Sequence, residues 1–211
     1  MADLAQATAS IIQAGARLDG LGWAPAGAGN YSHRLDDGRI AITVSGALKG
    51  RLHERDVMTL DRDGQPLEAQ KPSAETRLHL MLYARNSRTN AVLHTHSIPA
   101  VVLSRLMRRS GTICFEGCEL QKAFPGVDTH HTRTELPVLD NSQDMDALSE
   151  AAFDAIKPDG PPAFLIRDHG LYAWGEDMDQ ALVAIEAAET LLACELELIK
   201  AGHATRPREI V

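Results

Sequence analysis

The chain has 211 residues, with 21 Lys and Arg against 29 Asp and Glu, a formal net charge of −8, nine His and three Cys. At roughly 100–200 residues per domain, this length predicts one domain over residues 1–211 with a sizeable core. The acidic balance argues against broad binding to nucleic acid or an anionic membrane, but a few local donors can still hold one small anion.

An odd cysteine count argues against a disulfide framework and fits a reducing cytoplasm. Met1-Ala2-Asp3-Leu4-Ala5-Gln6 has an early acid and no basic stretch, so no signal peptide is expected, and no segment approaches the roughly 18 apolar residues of a membrane span.

Along the chain, Leu4, Ile11, Ala14 and Leu18 share one helical face that Gly20 and Gly22 end. A Gly-rich turn, Gly27-Ala28-Gly29-Asn30, precedes a hairpin of residues 31–35 and 39–44 around Asp37-Gly38. Residues 57–60 read as a strand, followed by a turn at Asp63-Gly64 and a segment near Pro66-Leu67. After Lys71-Pro72 a helix begins with Ser73 as its N-cap and Leu78, Met81 and Leu82 on its buried side. Ala91-Val92-Leu93 is a buried strand that ends at His94-Thr95-His96, and residues 98–106 are helical.

Residues 112–124 fit no single pattern. Residues 136–139 predict a strand, and 145–156 a helix stopped by Pro158. Residues 163–166 are an apolar strand running into Arg167-Asp168-His169-Gly170, and 171–174 another strand. A long amphipathic helix covers 178–200, with Leu182, Ile185, Leu192, Leu196 and Ile199 apolar. Helices and strands interleave without repeats or linkers, which predicts an α/β or α+β domain with a largely central sheet.

The strongest chemical signal is His94-Thr95-His96. Residues i and i+2 of an extended strand point the same way, so two imidazoles can meet at one point. A third ligand would complete an open tetrahedral Zn²⁺ site, and His169, beside Gly170 at another strand end, is the best candidate. The turns Gly29-Asn30, Ser45-Gly46 and Pro72-Ser73-Ala74 offer backbone N–H groups, and the last two add hydroxyls; together they could cradle a phosphate. Glu75 and Glu119 are candidate acid/base groups, because a metal that polarises a carbonyl needs a proton carrier nearby.

Other residues keep ordinary readings. His33, His53, His79 and His203 are taken as packed or solvated, and His130-His131 as a loop pair whose rings would point apart on a strand. Cys114 and Cys118 are taken as buried or free thiols, and Glu186, Glu189, Glu195 and Glu197 as solvated helix positions. Trp174 reads as core or interface, and Tyr172, three residues from His169, is unassigned.

Taken in order, Gly29-Asn30-Tyr31-Ser32, Thr43-Val44-Ser45-Gly46, Lys71-Pro72-Ser73-Ala74-Glu75, His94-Thr95-His96-Ser97 and His169-Gly170 resemble the zinc-dependent class II aldolase/epimerase family across nearly the whole chain. Residues 116–130 and 168–175 are most similar to its dehydratase branch in methionine salvage, which acts on 5-methylthioribulose 1-phosphate. The resemblance implies a three-layer fold with a central, mostly antiparallel sheet flanked by helices. It implies a cytoplasmic homotetramer with active sites between neighbouring subunits.

It further implies one Zn²⁺ per subunit on His94, His96 and His169, and a substrate phosphate on Asn30, Ser45, Gly46 and Ser73. Some relatives carry a second serine where Ala74 stands. In the aldolases the residue matching Glu75 moves protons at the metal. In the dehydratases the residue matching Glu119 is the main acid/base and some have cysteine in place of Glu75, so Glu119 ranks first and Glu75 supports it. Two other readings remain: an aldolase or epimerase on another ketose phosphate, and a non-catalytic zinc-containing scaffold.

Overall fold

The computed structural model describes residues 2–107 and 110–202, and His203 lies outside them. Helix α1 (Leu4–Gly20) begins at Asp3, whose carboxylate accepts from the Gln6 N–H while the Gln6 side chain accepts from the Asp3 N–H. There follow β1 (Asn30–Arg34), β2 (Ile40–Thr43), β3 (Val57–Leu60), α2 (Thr76–Arg85), β4 (Ala91–Thr95) and α3 (Ile98–Leu106). The remainder comprises β5 (Thr112–Phe115), β6 (Thr134–Leu139), α4 (Met145–Ala155), β7 (Ala163–Ile166), β8 (Gly170–Gly175) and α5 (Met178–Lys200).

The eight strands form one sheet in the order β3-β2-β1-β4-β8-β7-β6-β5. Every neighbouring pair is antiparallel except β6 and β7. That parallel pair needs a crossover, which α4 supplies. Side chains alternate across the sheet, so Leu93, Leu165 and Leu171 join α1, α3 and α5 in one apolar layer, including Ile11, Leu18, Ile185 and Leu192. Val92, Phe164 and Tyr172 face the other way, onto Leu78 and Leu82 of α2 and Leu148 of α4. The result is the expected three-layer mixed α/β architecture. No helix among the described residues is long and apolar enough to cross a membrane.

Two local expectations change. Helix α2 starts at Thr76, with Glu75 in the cap position, so Ser73 is not its N-cap. The Ser73 carbonyl instead accepts from the Thr76 N–H and hydroxyl in the turn before the helix. The unassigned stretch 112–124 divides into edge strand β5 and a 3₁₀ turn at Glu119–Ala123.

Strand register fixes the functional end of the sheet. Asn30 lies opposite His94, His94 opposite Tyr172, and Tyr172 opposite Phe164. One row therefore crosses β1, β4, β8 and β7, and the start of α2 brings Glu75 onto it.

Candidate metal centre

Three imidazoles converge where the sequence suggested. His94 stands in β4, and His96 lies one residue past its end with its N–H on the Trp23 carbonyl at 2.8 Å. His169 comes from the tight turn between β7 and β8, where Asp168 adopts φ +58°. Arg167 anchors that turn by donating to the Ser104 and Met107 carbonyls and pairing with Asp140, while the Asp168 N–H donates to the Ser104 hydroxyl. A Cβ on Gly170 would run into the Thr95 carbonyl and lie 2.9 Å from His94 Cε1, so only glycine lets the two strands close here.

The ring centroids are 4.5 Å (His94–His96), 4.8 Å (His96–His169) and 5.1 Å (His94–His169) apart. One ligand atom from each lies within 4.8 Å of the others. Tautomer logic shows that the set fits a metal. His94 Nδ1 is 3.0 Å from the Leu171 carbonyl, which can only accept, so Nδ1 carries the proton. Nε2 is then a bare lone pair, and it is buried without a hydrogen-bond donor. Buried polar atoms left in this state are uncommon unless a ligand completes them. Burial also pushes His94 well below 6.5 and His96 down to about 4, so both stay neutral, the form that binds metal.

Glu75 sits against these rings. Its Oε1 lies 2.9 Å from His169 Nε2 and its Oε2 3.2 Å from His94 Nε2. Oε2 also accepts from the Asn30 amide and the Tyr172 hydroxyl, both at 2.8 Å. Burial raises the carboxyl, but the hydrogen bonds it accepts from His169 and the Asn30 amide outweigh it and hold Glu75 below the usual carboxylate range.

Behind Glu75 runs a buried chain of donors whose direction follows from a neutral His79. Asn30 gives its amide to Glu75, so its carbonyl must accept from His79 Nε2. His79 Nδ1 must then accept from the Ser32 hydroxyl at 2.7 Å, and Ser32 from the Tyr83 hydroxyl at 2.6 Å. Burial lowers His79 to about 4, which keeps it neutral as this order requires. His79 is thus packed, as expected, but it also supports the site.

The turns named as a phosphate cradle are neighbours. A bridge between Val44 and Pro72, with the Ser45 N–H on the Lys71 carbonyl at 3.0 Å, brings Ser45-Gly46 against Pro72-Ser73. Gly46 adopts φ +78° with open space around it. The Asn30 side chain is occupied by Glu75 and His79. Buried Lys49, which no sequence pattern singled out, ties this region together by donating to the Gly27 and Ala47 carbonyls.

Glu119 is elsewhere. Its side chain is 71% exposed and pairs with Lys122 Nζ at 2.9 Å and His130 Nδ1 at 3.5 Å. The hydrogen bond from Lys122 lowers its pKa. Gln121 closes the loop that carries it, donating to the His130 and Thr132 carbonyls. His130 and His131 lie in a turn, as the loop-pair reading expects, and their rings meet at 3.9 Å. A cavity of about 850 Å³ opens at the other end of the strands, by Trp174 and Thr89. Its cations are already partnered: Arg88 by Glu176, Lys122 by Glu119, Lys157 by Glu135, and Arg85 by the Phe153 and Ile156 carbonyls.

Other readings resolve simply. Cys114, Cys118 and Cys194 are free thiols, with Cys114 and Cys194 exposed. Glu186 pairs with Arg17, and Glu197 with Lys200, on the surface. Glu189 is not solvated: it is 1% exposed and accepts from the Thr95 and Ser97 hydroxyls. Its place on the apolar stripe of Ile185, Leu192 and Leu196 was a signal that could have revealed this.

Comparison with known proteins agrees with this architecture. The methylthioribulose-1-phosphate dehydratase of Hahella chejuensis is 51% identical over 192 residues, 90% of this chain and 92% of that protein. The enzyme of the same name from Pseudomonas paraeruginosa is 49% identical over 197 residues, 92% of this chain and 95% of its own. The crystal structure of L-fuculose-1-phosphate aldolase from Thermus thermophilus matches with a TM-score of 0.72 at 27% identity, covering 96% of this chain and 100% of that one. The model of the class II aldolase and adducin N-terminal domain family matches residues 9–196, and the chain belongs to that family.

Proposed function

We propose that the protein is a hydro-lyase, a zinc-dependent dehydratase that converts 5-methylthioribulose 1-phosphate to 5-methylthio-2,3-dioxopentyl phosphate and water in methionine salvage. The observation that carries this reading is the convergence of three imidazoles, two of them against the Glu75 carboxylate. The dehydratases that match along nine-tenths of the chain support the substrate.

The donor set suits zinc, which favours imidazole nitrogen and leaves a fourth position open in catalytic sites. His94, His96 and His169 would hold the ion, which when bound supplies a Lewis acid to the C2 carbonyl and so acidifies the C3 proton. Ser45, Gly46 and Ser73, with Asn30 at their edge, hold the phosphate. Glu75, which accepts from His169, Asn30 and Tyr172, orients the imidazoles and balances charge.

Proton delivery falls to Glu119, which protonates the C4 hydroxyl as the C4–O bond breaks. The proton it delivers is the one it first takes, as a carboxylate, from C3, so the elimination yields one water and an enol that ketonises to the 2,3-diketone. Glu119 projects from a surface loop away from the imidazoles of its own chain, and this role has it reach the site of a neighbouring subunit in a cytoplasmic homotetramer.

Product analysis with 5-methylthioribulose 1-phosphate tests the reading. The diketone phosphate and one water are expected. Dihydroxyacetone phosphate with a methylthio aldehyde would mean aldol cleavage, and metal-loaded protein with no turnover would mean a scaffold.

A further inference from the structure

Helix α5 lies along the sheet with Ile185, Leu192 and Leu196 inward, and Glu189 falls on that same stripe, four residues after Ile185 and three before Leu192. Its carboxyl therefore enters an otherwise apolar layer. Taking a carboxyl out of water is costly, and here burial raises its pKa to about 7. What it meets are two hydroxyls from one short segment. Oε1 accepts from Thr95 Oγ1 at 2.5 Å, and Oε2 accepts from Ser97 Oγ. Ser97 in turn caps α3 by accepting from the Ala100 N–H at 3.0 Å.

Thr95 and Ser97 flank His96. His94 is fixed by β4, with strands on both sides, whereas His96 stands beyond the last paired residue. Alternation sends the Thr95 side chain to the α5 layer while His94 and His96 face the cluster. A single carboxyl thus grips the chain on both sides of a ligand that stands beyond the paired end of its strand.

We propose that Glu189 is a positioning residue of the metal centre: through Thr95 and Ser97 it sets the direction of His96. This rests on the three imidazoles binding a metal ion. Groups that orient ligands from behind in this way are worth about 10–100-fold in metal affinity.

The test is zinc affinity by competition with a chromogenic chelator, on full-length wild type, Glu189→Leu, Glu189→Gln and Thr95→Val. Thermal unfolding of each metal-free protein runs alongside. Glu189→Leu is expected to bind zinc about 10–100-fold more weakly. Glu189→Gln, which keeps an acceptor oxygen, should recover most of that loss. Thr95→Val should weaken binding, and adding it to Glu189→Leu should cost little more, because both remove one shared contact.

If Glu189→Leu fails to fold, the near-isosteric Thr95→Val decides alone. Wild-type affinity in a folded Glu189→Leu, or in Thr95→Val, overturns the proposal. A wild type that binds no divalent metal overturns the metal reading itself.

Discussion

Replacing Tyr172 with Phe removes one hydroxyl from the site and leaves the ring. That ring stacks on His94 at 4.0 Å and on Phe164 at 5.0 Å between centroids, so the packing survives. What disappears is the 2.8 Å hydrogen bond to Glu75 Oε2. A hydrogen bond to a charged group is worth about 1.5–3 kcal/mol, and Oε2 keeps the Asn30 amide, so no acceptor is stranded. At about 2–4 °C per kcal/mol for a chain of this size, metal-free Tyr172→Phe should melt about 3–12 °C below wild type at pH 7.

The pH dependence has a definite sign. Glu75 is held below its unfolded value, so the stability it lends is complete above about pH 4.3 and fades as pH falls through the folded pKa. Tyr172 supplies part of that stability, so the gap should stay constant from pH 5 to 8 and close only in stronger acid. Calorimetry of both proteins across that range is the measurement. A gap under 1 °C at pH 7 would falsify the contact, and a gap that vanished by pH 6 would transfer it to a histidine.

Two further outcomes separate binding from chemistry. His96→Ala should lose bound zinc and turnover together; a metal-free variant that kept full activity would remove His96 from the centre. Glu119→Gln should retain zinc while turnover falls at least about 100-fold, the smaller end of what a general acid contributes, and near-normal turnover would free Glu119 of that role.

The bounds of α3 and α5 were legible because their apolar spacing and caps agree, and the imidazole cluster because two of its members are two residues apart at a strand end. Edge strand β5 was not: four residues, Thr112 to Phe115, carry too little alternation to separate from the turn that follows. Glu75 was placed at the metal by resemblance, whereas its contacts with Asn30 and Tyr172 depend on register between strands distant in sequence. Glu189 was legible and misread, since an acid on a helix is usually solvated and only its position on the apolar stripe said otherwise. Glu119 illustrates the opposite limit. Local sequence marks the loop, but whether its carboxylate meets an active site depends on what that loop faces.

The donor chain behind Glu75 makes a claim about acid stability that one substitution can test. Its polarity requires His79 to be neutral, because Nδ1 accepts from Ser32 while Nε2 donates to Asn30. Burial enforces this by lowering His79 from 6.5 to about 4, with Glu75 pulling more weakly the other way. The unfolded chain takes up that proton first, so the contribution is intact above about pH 6.5 and is lost as pH falls toward the folded value.

Gln at position 79 imitates the neutral ring: its amide can donate to Asn30, its carbonyl can accept from Ser32, and it does not titrate. Between pH 7 and 4.5, metal-free wild type should therefore lose about 2–3 kcal/mol more than His79→Gln in urea unfolding. His94 and His96 steepen the same limb in both proteins, so they cancel in the difference. If the two proteins lose equal stability, His79 is protonated in the fold. The Ser32 hydroxyl would then accept from Nδ1 and donate to Tyr83, so the outer half of the chain would run the opposite way while Nε2 still donated to Asn30.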